Sequence, residues 1–176
     1  MMAYLLRGFI MKVTIFSIIA LFLITGCSFK NLFVTKPVAT VSKSKKITMK
    51  TKKFAFSDTG FYKSDDKLIQ IQAYSTGVAV ADMKFYKDKD TICVGYKCTN
   101  RKYFNDNFLS KYYPNNLILN ILLAKPIMEA KNLTKTENGF VQNIKTPEYD
   151  ITYKVTNNSI YFKDRLNKIL IKLKDL

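Results

Sequence analysis

The sequence predicts an α+β fold that is mainly β: a sheet wrapped round a short helical insertion, preceded by a signal peptide and a flexible tether. Three observations carry this. An uncharged apolar run near the start ends abruptly in a cysteine. Alternation of apolar and polar side chains begins at Phe54 and resumes at Gly139. Between Asn100 and Pro126 the apolar spacing switches to three and four residues, the period of a helix. With 176 residues, the chain holds one ordinary domain once a leader is subtracted.

The segment Val13 to Thr25 reads VTIFSIIALFLIT and follows Arg7 and Lys12. It is too short to span a ~30 Å hydrocarbon core, which needs about 20 apolar residues. A cationic start, an apolar middle of this length and small residues at its end make a secretory signal peptide. Met11, followed by Lys12, offers a second start. The residues that close the run, Ile24-Thr25-Gly26-Cys27, resemble the lipobox of bacterial lipoproteins. In such proteins the cysteine sulfur receives a diacylglycerol, the leader is cut before it and the new amino terminus is acylated. The resemblance implies a signal peptide over residues 1–26 and a lipid anchor at Cys27. Each buried methylene contributes ~0.8 kcal/mol, so one chain holds marginally and several hold firmly. By the same resemblance, a serine after the cysteine, here Ser28, is permissive for sorting to the outer membrane, which implies a domain facing the periplasm.

The chain carries 29 Lys and Arg against 13 Asp and Glu, a formal charge of +16. Anionic lipid headgroups are the natural partner of that excess in an exported protein, at ~1 kcal/mol per basic residue near the surface; nucleic acid is not expected. A lysine-rich solvated surface is the other reading. The chain has no histidine, its acids are scattered on turns, and it has neither a G-x-S-x-G setting nor a Gly-rich phosphate loop, so no enzyme and no cofactor are expected. No metal site is expected either, because two thiols do not make a four-ligand zinc centre.

Residues 27–53 form the lipidated N-terminus and tether: this stretch has one proline, many Ser, Thr and Lys, and no regular apolar period. Ile47 and Met49 suggest at most a short edge strand at its end. The folded domain is expected over residues 54–176. FAFSDTGFYKS reads as strand on both sides of Asp58-Thr59-Gly60, and KLIQIQAY places Ile69, Ile71 and Ala73 on one face. Ser75-Thr76-Gly77 is a turn, VAVADMKFYK alternates Ala79, Ala81, Met83 and Phe85 against Val80, Asp82 and Lys84, and KDKD turns the chain into TICVGYKC. The first half is therefore an antiparallel meander.

Gly95-Tyr96 fits a two-residue hairpin loop with glycine first, as a type II′ turn prefers. That register places Cys93 directly opposite Cys98 with Cα atoms ~4.5 Å apart, within a disulfide's reach. An oxidising compartment favours the bond; free thiols in different turns are the alternative.

Thr99 or Asn100 caps a helix in which Tyr103, Phe104, Phe108, Leu109 and Tyr112 recur at helical spacing, until Pro114 interrupts it. A second helix bears Leu117, Ile118, Ile121 and Leu122 and ends at Lys125-Pro126. Alternation then returns in GFVQNI, in YDITYKV with Ile151, Tyr153 and Val155 aligned, in SIYFKD, and in KILIKLKDL with Ile169, Ile171 and Leu173 opposed to Lys168, Lys172 and Lys174.

This order of parts, with the lipobox, the helix-proline-helix element ending in LLAKPI and the tail of YDITYKV and NKILIKLK, resembles the LolB family of outer-membrane lipoprotein receptors, related to the periplasmic carrier LolA. The resemblance covers most of residues 54–176. It implies an incomplete antiparallel β-barrel, a curled sheet closed by two short helices, whose concave face holds acyl chains of other lipoproteins. Carried over, the lipid-binding cavity comprises Ile69, Ile71, Ala73, Met83, Phe85, Phe104, Phe108, Ile121, Ile151, Tyr153, Ile171 and Leu173. The membrane-insertion loop comprises Tyr74, Ser75, Thr76, Gly77 and Val78, where this chain lacks the family's exposed leucine. The implied partners are lipoprotein cargo and a periplasmic LolA-like carrier, and the implied state is a monomer. From the residues alone, the inner face is either a filled core or a lipid-sized cavity. The alternative function is that of a structural or assembly lipoprotein, such as a lipopolysaccharide-translocon accessory, that acts through its surface.

Overall fold

The structure is a computed structural model and describes residues 40–176. The expected signal peptide, the Cys27 anchor and the first part of the tether lie outside the described residues. Among the described residues, eleven strands form one antiparallel sheet. In chain order they are β1 (Val41–Lys50), β2 (Ala55–Ser64), β3 (Leu68–Ser75), β4 (Val78–Tyr86), β5 (Ile92–Val94), β6 (Lys97–Thr99), β7 (Leu133–Thr136), β8 (Gly139–Lys145), β9 (Asp150–Thr156), β10 (Ser159–Asp164) and β11 (Ile169–Asp175). Helices α1 (Arg101–Phe108) and α2 (Leu117–Leu122) interrupt the run between β6 and β7. The strand order is β6-β5-β4-β3-β2-β1-β11-β10-β9-β8-β7. The sheet is mainly β and open: β6 and β7 are its two edges, and both are short, which limits the unpaired backbone they offer to other chains.

One expectation is corrected at the centre of the sheet. Residues 41–50, assigned to the tether, are a full strand rather than a linker or a short edge. β1 pairs with β2 over ten residues, Val41↔Ser64 to Lys50↔Ala55, and with β11 from Lys45↔Asp175 to Lys50↔Leu170. It needs only two fully buried anchors, Ile47 and Met49, because main-chain hydrogen bonds on both edges and an ion pair from Lys45 to Asp175 hold the rest. A strand rich in Ser and Lys therefore occupies the middle of the molecule.

A second correction concerns β2, expected to break at Asp58-Thr59-Gly60. The strand runs through them. Gly60 lies against its neighbour so closely that a Cβ there would fall 2.0 Å from the carbonyl oxygen of Gln72, so glycine here permits close strand approach instead of a turn.

The helical insertion follows the expected positions with shorter helices. Asn100 is the N-cap, its side chain accepting a 2.7 Å hydrogen bond from the Tyr103 amide. Phe104 is fully buried, whereas Tyr103 and Tyr112, read from spacing as part of the apolar face, are exposed. α1 ends at Phe108, so Tyr112 falls in the loop beyond it. The α1–α2 loop is held by buried Asn105, whose Nδ2 donates to the carbonyl of Pro114 at 3.0 Å. Five of the six α2 residues, all but Asn120, are buried. A helix this short has little stability alone, and one apolar all round belongs inside a core.

The core is a single cluster that draws on both halves of the sheet: Ile47, Ile69, Ile71, Met83 and Phe85 from one side, Ile144, Ile151, Tyr153, Phe162, Ile171 and Leu173 from the other, with Phe104, Leu117, Ile118 and Ile121 between them. The sheet thus curls round its two helices.

Candidate functional site

The inner face was expected to line a lipid-binding cavity, and this is corrected. Of the twelve residues assigned to it, Ile69, Ile71, Ala73, Met83, Phe85, Phe104, Ile121, Ile151, Tyr153, Ile171 and Leu173 are buried at 1% exposure or less, and Phe108 is partly buried against them. The two helices fill the hollow with their own side chains. Phe85 meets Phe104 edge-on at 6.1 Å, and Phe104 stacks on Phe108 at 5.0 Å; packing of this kind leaves no space for a guest.

The filling stops short of one end of the sheet. Beyond Phe108, where no helix covers β2 to β5, the same inner face continues as an open groove of about 390 Å³. Its walls are Phe54, Ala55 and Phe56 on one side and Val80, Ala81, Met83 and Val94 on the other, with Asp58 and Ser75 as its polar members. Phe54 stacks against Phe56 at 6.0 Å and tilts against Phe108 at 5.9 Å, which joins the groove to the packed core. Of the residues assigned to the cavity, Met83 alone lines this groove.

The expected insertion loop sits at the groove's mouth. Ser75 and Val78 flank a two-residue turn in which Thr76 (φ 49°) and Gly77 (φ 83°) are both left-handed, the requirement of the type I′ turn that matches strand twist. Nothing crowds a Cβ at Gly77, so its backbone angle, not its space, selects glycine there. The pairing slips between Ala73 and Tyr74, so Ala73 opposes Ala81 while Tyr74 opposes Ala79 and Val80 is the extra residue. Such a bulge bends the strand and re-aims side chains, which corrects the expected alternation: Val80 lines the groove beside Ala81, and Ala79 is paired with the outward Tyr74. Val78 is 66% and Val80 46% exposed, an apolar tip beside an apolar groove. Tyr74 is turned to the other face, edge-on to Phe61 at 6.0 Å.

At the opposite end of the concave face a second groove of about 310 Å³ lies between the start of β1 and the end of α2, lined among others by Val41, Lys43, Lys45, Tyr62, Leu123 and Ile160. The helix plug between the two grooves is tied at its C-terminal end to both halves of the sheet. The Tyr62 hydroxyl on β2 donates to the Leu122 carbonyl at 3.0 Å. The Tyr153 hydroxyl on β9 donates to the Lys125 carbonyl at 3.0 Å and the Asn120 carbonyl at 3.5 Å. Burial pushes both phenols above their ordinary pKa, for Tyr62 partly offset by Ser64. Gln142 on β8, fully buried, receives the Ile127 amide at 2.8 Å and donates back to the Ile127 carbonyl at 3.0 Å and to Lys131 at 2.8 Å. Sequence reasoning missed this clamp, since a glutamine at an inner strand position has no periodicity signal of its own.

Cys93 and Cys98 stand directly opposite in β5 and β6, with Ile92↔Thr99 and Val94↔Lys97 on either side. Gly95 has φ 58°, as the expected turn requires. The Cα atoms are 4.0 Å apart and the sulfurs lie at bonding distance. Among the described residues no cluster of three or more metal-ligating side chains occurs, and no helix is long and apolar enough to cross a membrane. The chain matches no protein-family model and no characterised protein in sequence.

Proposed function

We propose that this chain is a lipid-anchored protein of the bacterial outer membrane, facing the periplasm, that takes an acyl chain of a lipoprotein cargo from a LolA-like carrier and helps transfer it to the membrane. The single observation supporting this reading is the uncovered apolar groove of β2 to β5 with Val78 and Val80 at its mouth. At about 390 Å³ it stands at the lower end of the range of ligand sites, and its mainly apolar walls, with Asp58 and Ser75 as the polar members, suit hydrocarbon. The filled core restricts the cargo's chain to the groove unless α2 is displaced. The protein acts as a binding module and not as an enzyme. Depletion of the protein makes other lipoproteins accumulate on the periplasmic carrier; normal lipoprotein localisation in the depleted strain contradicts the reading. Metabolic labelling with a fatty acid marks the protein and is abolished by Cys27→Ser; unlabelled wild type contradicts the anchor.

A second reading is favoured by the packing itself. A hollow filled by eleven fully buried side chains is what a structural or assembly lipoprotein working through its surface requires. Normal lipoprotein sorting together with a defect in another outer-membrane assembly, such as lipopolysaccharide export, distinguishes it.

A further inference from the structure

The outer face of the sheet differs sharply between its halves. On β1, the outward residues include Lys46 and Lys50; on β11, Lys172 and Lys174; on β10, Lys163. Lys154 on β9 and Lys145 on β8 continue the array. All are exposed. Among the described residues none of these lysines has a hydrogen-bond, ion-pair or ring partner for its ammonium group. Lys46 stands directly opposite Lys174 in the β1–β11 register, and like charges opposite each other across a strand pair are destabilising. The one outward carboxylate in this half, Asp150, faces Lys145 and accepts from Arg165 at 3.4 Å.

The other half, β2 to β4, is ordinary. Its outward residues are mostly Ser, Thr, Gln and aromatics; Lys63 is hydrogen-bonded to Gln72 at 3.3 Å, and Asp82 accepts from Gln70 at 2.8 Å beside Lys84. A merely lysine-rich composition would have loaded both halves alike. The concentration on one half, with a like-charge pair kept where β1 meets β11, suits an anionic partner.

We infer that the outer face of β1 and β8 to β11 docks on an anionic lipid bilayer surface. The array is two-dimensional, about 19 Å across its five strands at ~4.8 Å per strand. It is built of lysines, compact point charges suited to phosphate. At one end it runs into a basin of about 410 Å³ rimmed by Lys50, Lys163, Arg165 and Lys168 over Ile169 and Leu170, with one carboxylate, Asp164, whose oxygens are already taken by protein donors, a place for a phosphate-bearing headgroup. Single-stranded nucleic acid is less suited, because such sites combine a tracking groove with several stacking aromatics, and here Tyr161 alone stands among the lysines. The proposal does not depend on what the groove on the inner face holds.

The test is lysine footprinting of the full chain. The protein is placed on vesicles of phosphatidylcholine alone, and on vesicles of phosphatidylcholine with phosphatidylglycerol; any N-terminal anchor is the same in both. Acetylation by an amine-reactive ester is then read by mass spectrometry. The expected result is that Lys46, Lys154, Lys172 and Lys174 react several-fold more slowly only on the phosphatidylglycerol vesicles, that high salt removes the protection, and that the exposed Lys67, Lys97 and Lys111 react equally on both. A triple variant, Lys46→Gln, Lys172→Gln and Lys174→Gln, is expected to lose about a hundredfold of the phosphatidylglycerol-dependent affinity, from roughly fivefold per lysine, while the same changes at Lys67, Lys97 and Lys111 leave it within a few-fold. Equal reactivity on both vesicles, equal protection of both lysine sets, or protection by single-stranded nucleic acid but not by phosphatidylglycerol overturns the proposal. The wild-type footprint needs no variant to fold.

Discussion

The hydroxyl of Tyr62 on β2 donates a 3.0 Å hydrogen bond to the carbonyl of Leu122, the last residue of α2. Tyr153 does the same for Lys125 from the other half of the sheet. The first phenol satisfies a carbonyl that the helix end leaves without a partner, the second a carbonyl in the segment just beyond the helix, and together they pin the plug from both sides. Tyr62→Phe and Tyr153→Phe are each expected to lower stability by about 1 kcal/mol, read by denaturant unfolding. The double variant loosens the plug, so an apolar dye binds it more strongly than wild type. Unchanged stability and unchanged dye binding contradict the role assigned to the pair.

The same phenols, with Tyr113, make the fold labile in base. Burial raises all three above the ordinary tyrosine pKa, and for Tyr113 the adjacent Asp164 carboxylate adds to the effect. A pKa raised in the folded state means that the unfolded chain ionises first. The stability these groups contribute is therefore intact below about pH 10 and is lost progressively above it. Phenolate absorbance should show these tyrosines ionising only together with cooperative unfolding. Ionisation of all eleven tyrosines before any loss of β-sheet signal would contradict this.

Asp164, at the end of β10, is buried and saturated with donors. Its Oδ1 receives the amides of Asp150 at 3.1 Å, Leu166 at 2.9 Å and Asn167 at 3.2 Å, and its Oδ2 receives Asn167 Nδ2 at 2.7 Å and the Tyr113 hydroxyl. It joins the α1–α2 loop to the β10–β11 turn. Asp164→Ala strands these donors and is expected to cost about 3 kcal/mol or more, with Asp164→Asn costing less because one acceptor remains. Thermal unfolding checks the order; equal melting temperatures for the two variants contradict it.

Cys93 and Cys98 close a loop of only a few residues. On the chain-entropy account a loop this small gains about 2 kcal/mol. Cys93→Ser with Cys98→Ser should lower stability by that amount in oxidising buffer and leave it unchanged in reducing buffer. In the native oxidised protein neither cysteine should be alkylated; alkylation of exposed Cys98 without reductant would show that the thiols are free.

Much of the domain was legible because its apolar alternation is regular. The strands carrying Ile69, Ile71 and Ala73, or Ile169, Ile171 and Leu173, bury one face and expose the other, and the hairpin turns at Gly77 and Gly95 need backbone angles that glycine supplies. The cap at Asn100 and the opposed cysteines followed from local geometry of the same kind. Three features were not legible, for different reasons. β1 draws its stability from main-chain pairing on both edges and so tolerates polar residues that imitate a linker. Gly60 marks strand contact, which depends on a partner that local sequence does not name. Whether the hollow is filled depends on how far α1 and α2 reach across it, a matter of tertiary packing that the alternation of Ile151 and Tyr153 leaves open. The groove was missed because its walls, from Phe54 to Val94, come from four separate segments that only the sheet brings together.

The most direct test of hydrocarbon binding is mass spectrometry of lipids retained non-covalently by the full chain after mild extraction, comparing wild type with Ala81→Phe. Ala81 stands in the groove wall at the edge of the core, partly exposed, so a phenyl ring there has the groove to occupy. Acyl lipid is expected to be retained by the wild type and lost from Ala81→Phe at unchanged melting temperature. Retention by both proteins, or by neither, would contradict the claim that this groove is an acyl-chain site.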